Sequence, residues 1–85
     1  RSTLFPYTTL FRSRTGLNLW IQSSQRENIK WQIIDLSGRT LNTQTRSLTP
    51  GINKITIDVS RMPKGVYFIN VQGKGDNKWM KFGKQ

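Results

Sequence analysis

Apolar side chains recur at every second position in five separate stretches of the chain: Leu17, Leu19 and Ile21; Ile29, Trp31 and Ile33; Ile55, Ile57 and Val59; Tyr67, Ile69 and Val71; Met80 and Phe82. A period of two is the mark of a β-strand with one buried face. No stretch keeps apolar residues at i, i+3, i+4 and i+7 for long enough to build a helix. Turn chemistry falls between the stretches, at Ser37-Gly38, Pro50-Gly51, Pro63 and Gly73–Asn77. The expected strands are residues 17–22, 29–36, 39–46, 52–59, 65–72 and 78–82. Connections this short favour antiparallel pairing, because parallel crossovers need about a dozen residues or more. Residues 39–46 are polar and Thr-rich with one apolar anchor, Leu41, so they read as an edge strand in a hairpin with the strand before. The pattern predicts an all-β, antiparallel sandwich.

Composition narrows the function. The chain has 85 residues, of which 34% are apolar. A core of this size supplies about 3–5 kcal/mol unless something staples it. Cysteine is absent, so there is no disulfide frame and no thiol nucleophile. Histidine is absent too, which removes the usual general base and the commonest zinc ligand. The four acidic residues are dispersed, which argues against a two-carboxylate hydrolase. No enzyme, metal or cofactor is expected. No apolar run approaches the roughly 20 residues that span a bilayer, and no stretch has the layout of a signal peptide. A net charge of +10 leaves a binding, structural or addressing module with a basic surface.

Arg1–Ser13 (RSTLFPYTTLFRS) does not fit this pattern. Pro6 sits inside its apolar cluster, and Leu10 and Phe11 are adjacent without alternating partners. Thr3–Ser13 is similar, residue for residue, to the translation of a common sequencing-library adapter. The expected organisation is therefore a non-native, adapter-derived segment over 1–13, packing little against the rest, and a β-sandwich domain over 14–85. Without Arg1 and Arg12 the remaining 72 residues carry a net charge of +8.

Two linked motifs then stand out. One is Ile33-Ile34-Asp35-Leu36-Ser37-Gly38-Arg39. The other is Ile57-Asp58-Val59-Ser60-Arg61-Met62-Pro63-Lys64-Gly65-Val66-Tyr67-Phe68-Ile69-Asn70-Val71. A Lys-rich strand, Lys78 to Lys84, follows them. In order, spacing and position the set resembles the type A C-terminal sorting domain of the type IX secretion system of Bacteroidota. The resemblance covers about residues 17–85 and lacks the Asn-Pro-containing segment that usually opens the family. It implies an immunoglobulin-like sandwich of six to seven strands, N-terminally truncated here. It also implies a secretion signal that directs a larger cargo through the periplasm and outer membrane to the cell surface or medium. The implied partners are the outer-membrane translocon and a surface sorting peptidase that removes the domain, with anionic lipopolysaccharide a further one after processing. The implied domain is a monomer that binds no nucleic acid.

Each marked residue also has a plain structural reading. Gly65 allows a bend and Tyr67 fills the core with its hydroxyl bonded at the rim, or the pair is read by the translocon. Asp35, with Ser37 and Gly38, makes an Asx-type turn, and Asp58 does the same before Ser60. Lys74, Lys78, Lys81 and Lys84 form either a solvated edge that blocks sheet-to-sheet aggregation or a basic face for an acidic partner. Trp31 reads as core, while Trp20 and Trp79 alternate away from it. Outward tryptophans beside lysines support the alternative of a basic accessory sandwich binding carbohydrate or another polyanion.

Overall fold

The computed structural model describes residues 8–12 and 16–84, all of its regular structure being strand. Seven strands follow in chain order: β1 (Thr8–Arg12), β2 (Gly16–Ser23), β3 (Glu27–Asp35), β4 (Thr40–Leu48), β5 (Gly51–Asp58), β6 (Gly65–Gly73) and β7 (Asp76–Lys84). They form a three-stranded sheet ordered β1-β2-β5 and a four-stranded sheet ordered β4-β3-β6-β7. Every pairing is antiparallel. Strands one, two and five face strands three, six and seven, as in an immunoglobulin-like sandwich. The fourth strand lies beside the third rather than in the sheet of the first two.

The alternating residues make the core. Leu17, Leu19 and Ile21 of β2 and Ile55 and Ile57 of β5 face Ile29, Trp31 and Ile33 of β3 and Tyr67, Ile69 and Val71 of β6, all of them buried. Phe82 of β7 closes the same layer, with Met80 packed against it. β3 is a central strand, with β4 on one side and β6 on the other. That explains why both of its faces carry apolar residues near Ile34.

Several expectations are corrected. Leu41 is not the anchor of β4; it is 38% exposed, whereas Leu48 is 1% exposed. The register shifts between Ile33 and Ile34, so that Ile33 faces Asn42 and Ile34 faces Thr40. Leu41 falls in the gap as the extra residue of a β-bulge, while regular pairing beyond it places Leu48 over the core. Leu36 belongs to the turn after β3 rather than to the strand, and is 68% exposed. Val59 lies past the end of β5 yet stays buried. The last loop shrinks to Lys74-Gly75, because Gly73 already pairs with Asp76. The connection between β2 and β3 is only residues 24–26. Ser23 shortens it, its buried hydroxyl lying 2.7 Å from the Gln25 carbonyl and 2.5 Å from Glu27 Oε2.

The expectation that residues 1–13 pack little is also corrected in part. Thr8–Arg12 pairs along β2, Leu10 opposite Leu19 and Arg12 opposite Leu17. A free sheet edge offers unpaired backbone groups that any extended segment can satisfy, so such pairing needs no native sequence. The rest of that expectation, over residues 1–7 and 13, falls outside the described residues.

Gly38 tests the turn chemistry of the β3–β4 hairpin. Its φ is +91°, a conformation open to glycine, and a Cβ there would meet nothing within 4 Å. Gly38→Ala should therefore destabilise the domain through the backbone alone, by about 1–2 kcal/mol. Urea unfolding of the two proteins measures this.

Candidate functional site

The two motifs converge at one end of the sandwich. Asp35, the last residue of β3, pairs in register with Tyr67 near the start of β6. Gly65 pairs with Lys84 at the end of β7, and Tyr67 with Phe82. The loop from Val59 to Lys64 links β5 to β6 and so brings Asp58 to the same end. Segments about 30 residues apart in the chain thus form one surface of hydrogen-bonded turns.

Asp35 organises the first turn. Its Oδ1 accepts from the Ser37 amide at 3.0 Å, the Ser37 hydroxyl at 2.6 Å and the Arg39 amide at 3.0 Å. The Gly38 amide donates to the Asp35 backbone carbonyl instead, also at 3.0 Å. The Asx-type turn is thus present, with Ser37 and Arg39 as its side-chain partners rather than Ser37 and Gly38. The Arg39 guanidinium lies 3.5 Å from Asp35 Oδ2, but its side chain is so exposed that the pair adds little. Asp58 repeats the device, accepting from the Ser60 amide at 2.9 Å.

Both carboxyls are held below their ordinary value. For Asp35 the chief cause is the Ser37 hydroxyl, followed by the Arg39 amide. For Asp58 it is the Ser60 amide. Donors that favour the charged form depress a carboxyl pKa. The contribution of each turn is therefore present above the unfolded carboxyl's value and is lost as pH falls through the lowered folded value. In an NMR titration the Ser37 and Ser60 amide resonances should shift with midpoints below the usual carboxylate range. Asp35→Asn should abolish the Ser37 titration and leave that of Ser60.

Tyr67 ties the second motif to the loop. Its buried ring stacks on Phe82, with centroids 5.6 Å apart, and its hydroxyl donates to the Pro63 carbonyl at 2.5 Å. A tyrosine at the start of the sixth strand that bonds back to the backbone a few residues upstream is the corner device of immunoglobulin-like sandwiches. Gly65, with φ +154°, leads the chain into this corner. Lys84 closes the loop from the other side, its ammonium donating to the Met62 carbonyl at 3.2 Å. The carbonyls of Met62 and Pro63 were not legible as partners, because a backbone acceptor leaves no mark in sequence.

The four lysines do not share a face. Lys78 and Lys84 stand on the same side of β7 as Met80 and Phe82, while Lys81 stands with Asn77 and Trp79 on the outer side. Lys74 lies at the hairpin tip, at the opposite end from Lys84. Residues three apart in a strand point to opposite faces, so the terminal strand presents a divided charge. The turns and strand ends at the end that holds the motifs carry Arg39, Arg61, Lys64 and Lys84, together with the exposed Leu36 and Val66. Trp31 is buried, and Trp20 and Trp79 are 36% and 55% exposed. The ammonium of Lys54 lies 5.4 Å from the Trp20 ring.

The fold is an antiparallel β-sandwich whose marked end is built of hydrogen-bonded turns. Among the described residues no three His, Cys, Asp or Glu side chains are grouped to hold a metal ion. Asp35 and Asp58 each commit their Oδ1 to their own turn. What the sandwich offers a partner is a folded shape with one strongly determined end. Over residues 15–85 the chain matches the family described as the secretion system C-terminal sorting domain. It belongs to that family, the sorting domains of type IX secretion, which is not an enzyme family and whose signal implies export to the cell surface or medium. No curated protein matches the chain.

Proposed function

We propose that residues 14–85 are the address of a larger cargo, read as a folded sandwich by the type IX outer-membrane translocon. The cargo crosses from the periplasm, and a surface sorting peptidase then removes the domain. The freed cargo is released or joined to anionic lipopolysaccharide. The observation that carries this reading is the registration of Asp35 against Tyr67, with Gly65 beside Lys84. It turns motifs that are distant in the chain into one surface. In this reading Asp35, Gly38, Asp58, Gly65 and Tyr67 fix the shape of that end. Arg39, Lys64 and Lys84 give it a charge that suits an acidic partner. Lys74 lies at the opposite end, at the hairpin tip, where it acts as solvated edge charge, while Lys78 and Lys81 stand on opposite faces of β7. Residues 1–13 are adapter-derived in this account, and the start of the family match at residue 15 supports that boundary.

The test is a fusion of residues 14–85, with the family's opening segment restored upstream, to a periplasmic reporter in a bacterium that carries this system. The reporter should appear at the surface or in the medium. A reporter that stays in the periplasm although the domain is folded would overturn the proposal.

A further inference from the structure

The outer face of the four-stranded sheet carries a feature that sorting does not require. Asn70 of β6 points away from the core, yet it is fully buried. In register it lies between Gln32 of β3 and Trp79 of β7. Its amide is fully engaged. Asn70 Nδ2 donates to Asn77 Oδ1 and, at 3.3 Å, to the Lys78 carbonyl. Its Oδ1 accepts from Gln72 Nε2 at 2.7 Å. Gln72 and Asn77 face each other directly across β6 and β7, one step along from the Asn70–Trp79 pair.

This buried amide fixes two surface amides in complementary senses. Gln72 is held through its nitrogen, which leaves its oxygen as an acceptor. Asn77 is held through its oxygen, which leaves its nitrogen as a donor. Both stand beside Trp79, a residue 55% exposed on the outer face of the sheet. Alternate residues of a strand lie about 7 Å apart on one face. The donor, the acceptor and the ring therefore fit within the span of one sugar ring and its hydroxyls. An aromatic face against C–H groups, with a fixed donor and acceptor beside it, is what a pyranose needs, since each of its hydroxyls both donates and accepts. Lys81, on the same face of β7, and Lys30, opposite Gln72, border the patch with positive charge.

We propose that this face, built from Trp79, Asn77 and Gln72 and held by Asn70, is a binding site for a pyranose glycan, with acid-bearing chains preferred at low salt. Holding the two amides in fixed rotamers removes part of the ordering cost that an exposed, mobile amide would add on binding. The site lies on the sheet face, away from the end where the sorting motifs meet, so it is independent of the sorting proposal.

The experiment uses the purified 85-residue chain. Tryptophan fluorescence and calorimetry follow titration with an oligogalacturonate, a linear β-glucan oligomer and a mannan oligomer, each at low and high salt. At least one glycan should bind saturably, with a measurable part of the affinity surviving high salt. Trp79→Ala should weaken that binding about tenfold or more, as loss of a stacking platform does. Asn77→Asp keeps the oxygen that accepts from Asn70 and removes only the outward amide donor, so it should weaken binding of the neutral glycans with little change in the unfolding midpoint, and Trp20→Ala should leave binding unchanged. Absence of binding to all three glycans would overturn the proposal. So would binding that vanishes in salt and ignores Trp79→Ala, which is the behaviour of a simple polyelectrolyte. Export of a fused reporter should be insensitive to Trp79→Ala; a loss of export with the domain still folded would assign this face to the translocon instead.

Discussion

Ile33→Ala should leave a large part of the protein unfolded at room temperature. Ile33 is fully buried on the central strand β3 and lies opposite Ile69 of β6. Truncating a buried isoleucine to alanine costs about 2–5 kcal/mol, the removed methyl groups and the residual cavity both contributing. A core this small supplies only about 3–5 kcal/mol in all. The loss is therefore comparable to the whole stability of the domain, with no disulfide to hold what remains. Circular dichroism against urea should show a midpoint near zero denaturant. Ile33→Val, which removes one methylene, should cost only about 0.5–1.5 kcal/mol and keep a cooperative transition. An Ile33→Ala protein that unfolds at the wild-type midpoint would show that the two sheets do not share the core described above.

Tyr67→Ala should abolish export of a fused reporter. Removing a large aromatic side chain from a core costs about 3–5 kcal/mol. Here the change also deletes the stack on Phe82 and leaves the Pro63 carbonyl without its donor. Tyr67→Phe keeps the stack and loses only the hydrogen bond, at about 1–1.5 kcal/mol. Export should therefore fall from the wild type to Tyr67→Phe to Tyr67→Ala, in step with the folded fraction measured on the isolated domain. If Tyr67→Phe folds as well as the wild type yet is not exported, the hydroxyl or the loop it fixes is itself the feature read by the machinery.

The inward half of the fold was legible from the residues. Leu17, Leu19, Ile21, Ile55, Ile57, Tyr67, Ile69 and Val71 were assigned to the core by alternation alone, and all are buried. The two Asx-type turns were legible as well, because an aspartate two residues before a serine makes its hydrogen bonds locally. Leu41 and Leu48 mark where that reading failed. A bulge is set by how two strands match in length and twist, and a single strand's pattern cannot announce it. Asn70 was invisible for a related reason. An outward polar residue in a strand is ordinarily solvated, and only the side chains of neighbouring strands bury it.

The sequence by itself therefore determined which residues turn inward, where the chain reverses and that the described residues form strands and no helix, because these depend on contacts within a few residues. The tertiary structure decided the division into three and four strands, the meeting of Asp35 with Tyr67, and the burial of Asn70 beside Trp79. Those are matters of register between distant segments. Strands of similar length and similar alternation can pair in many orders, and the choice among them is made by the packing of the whole core.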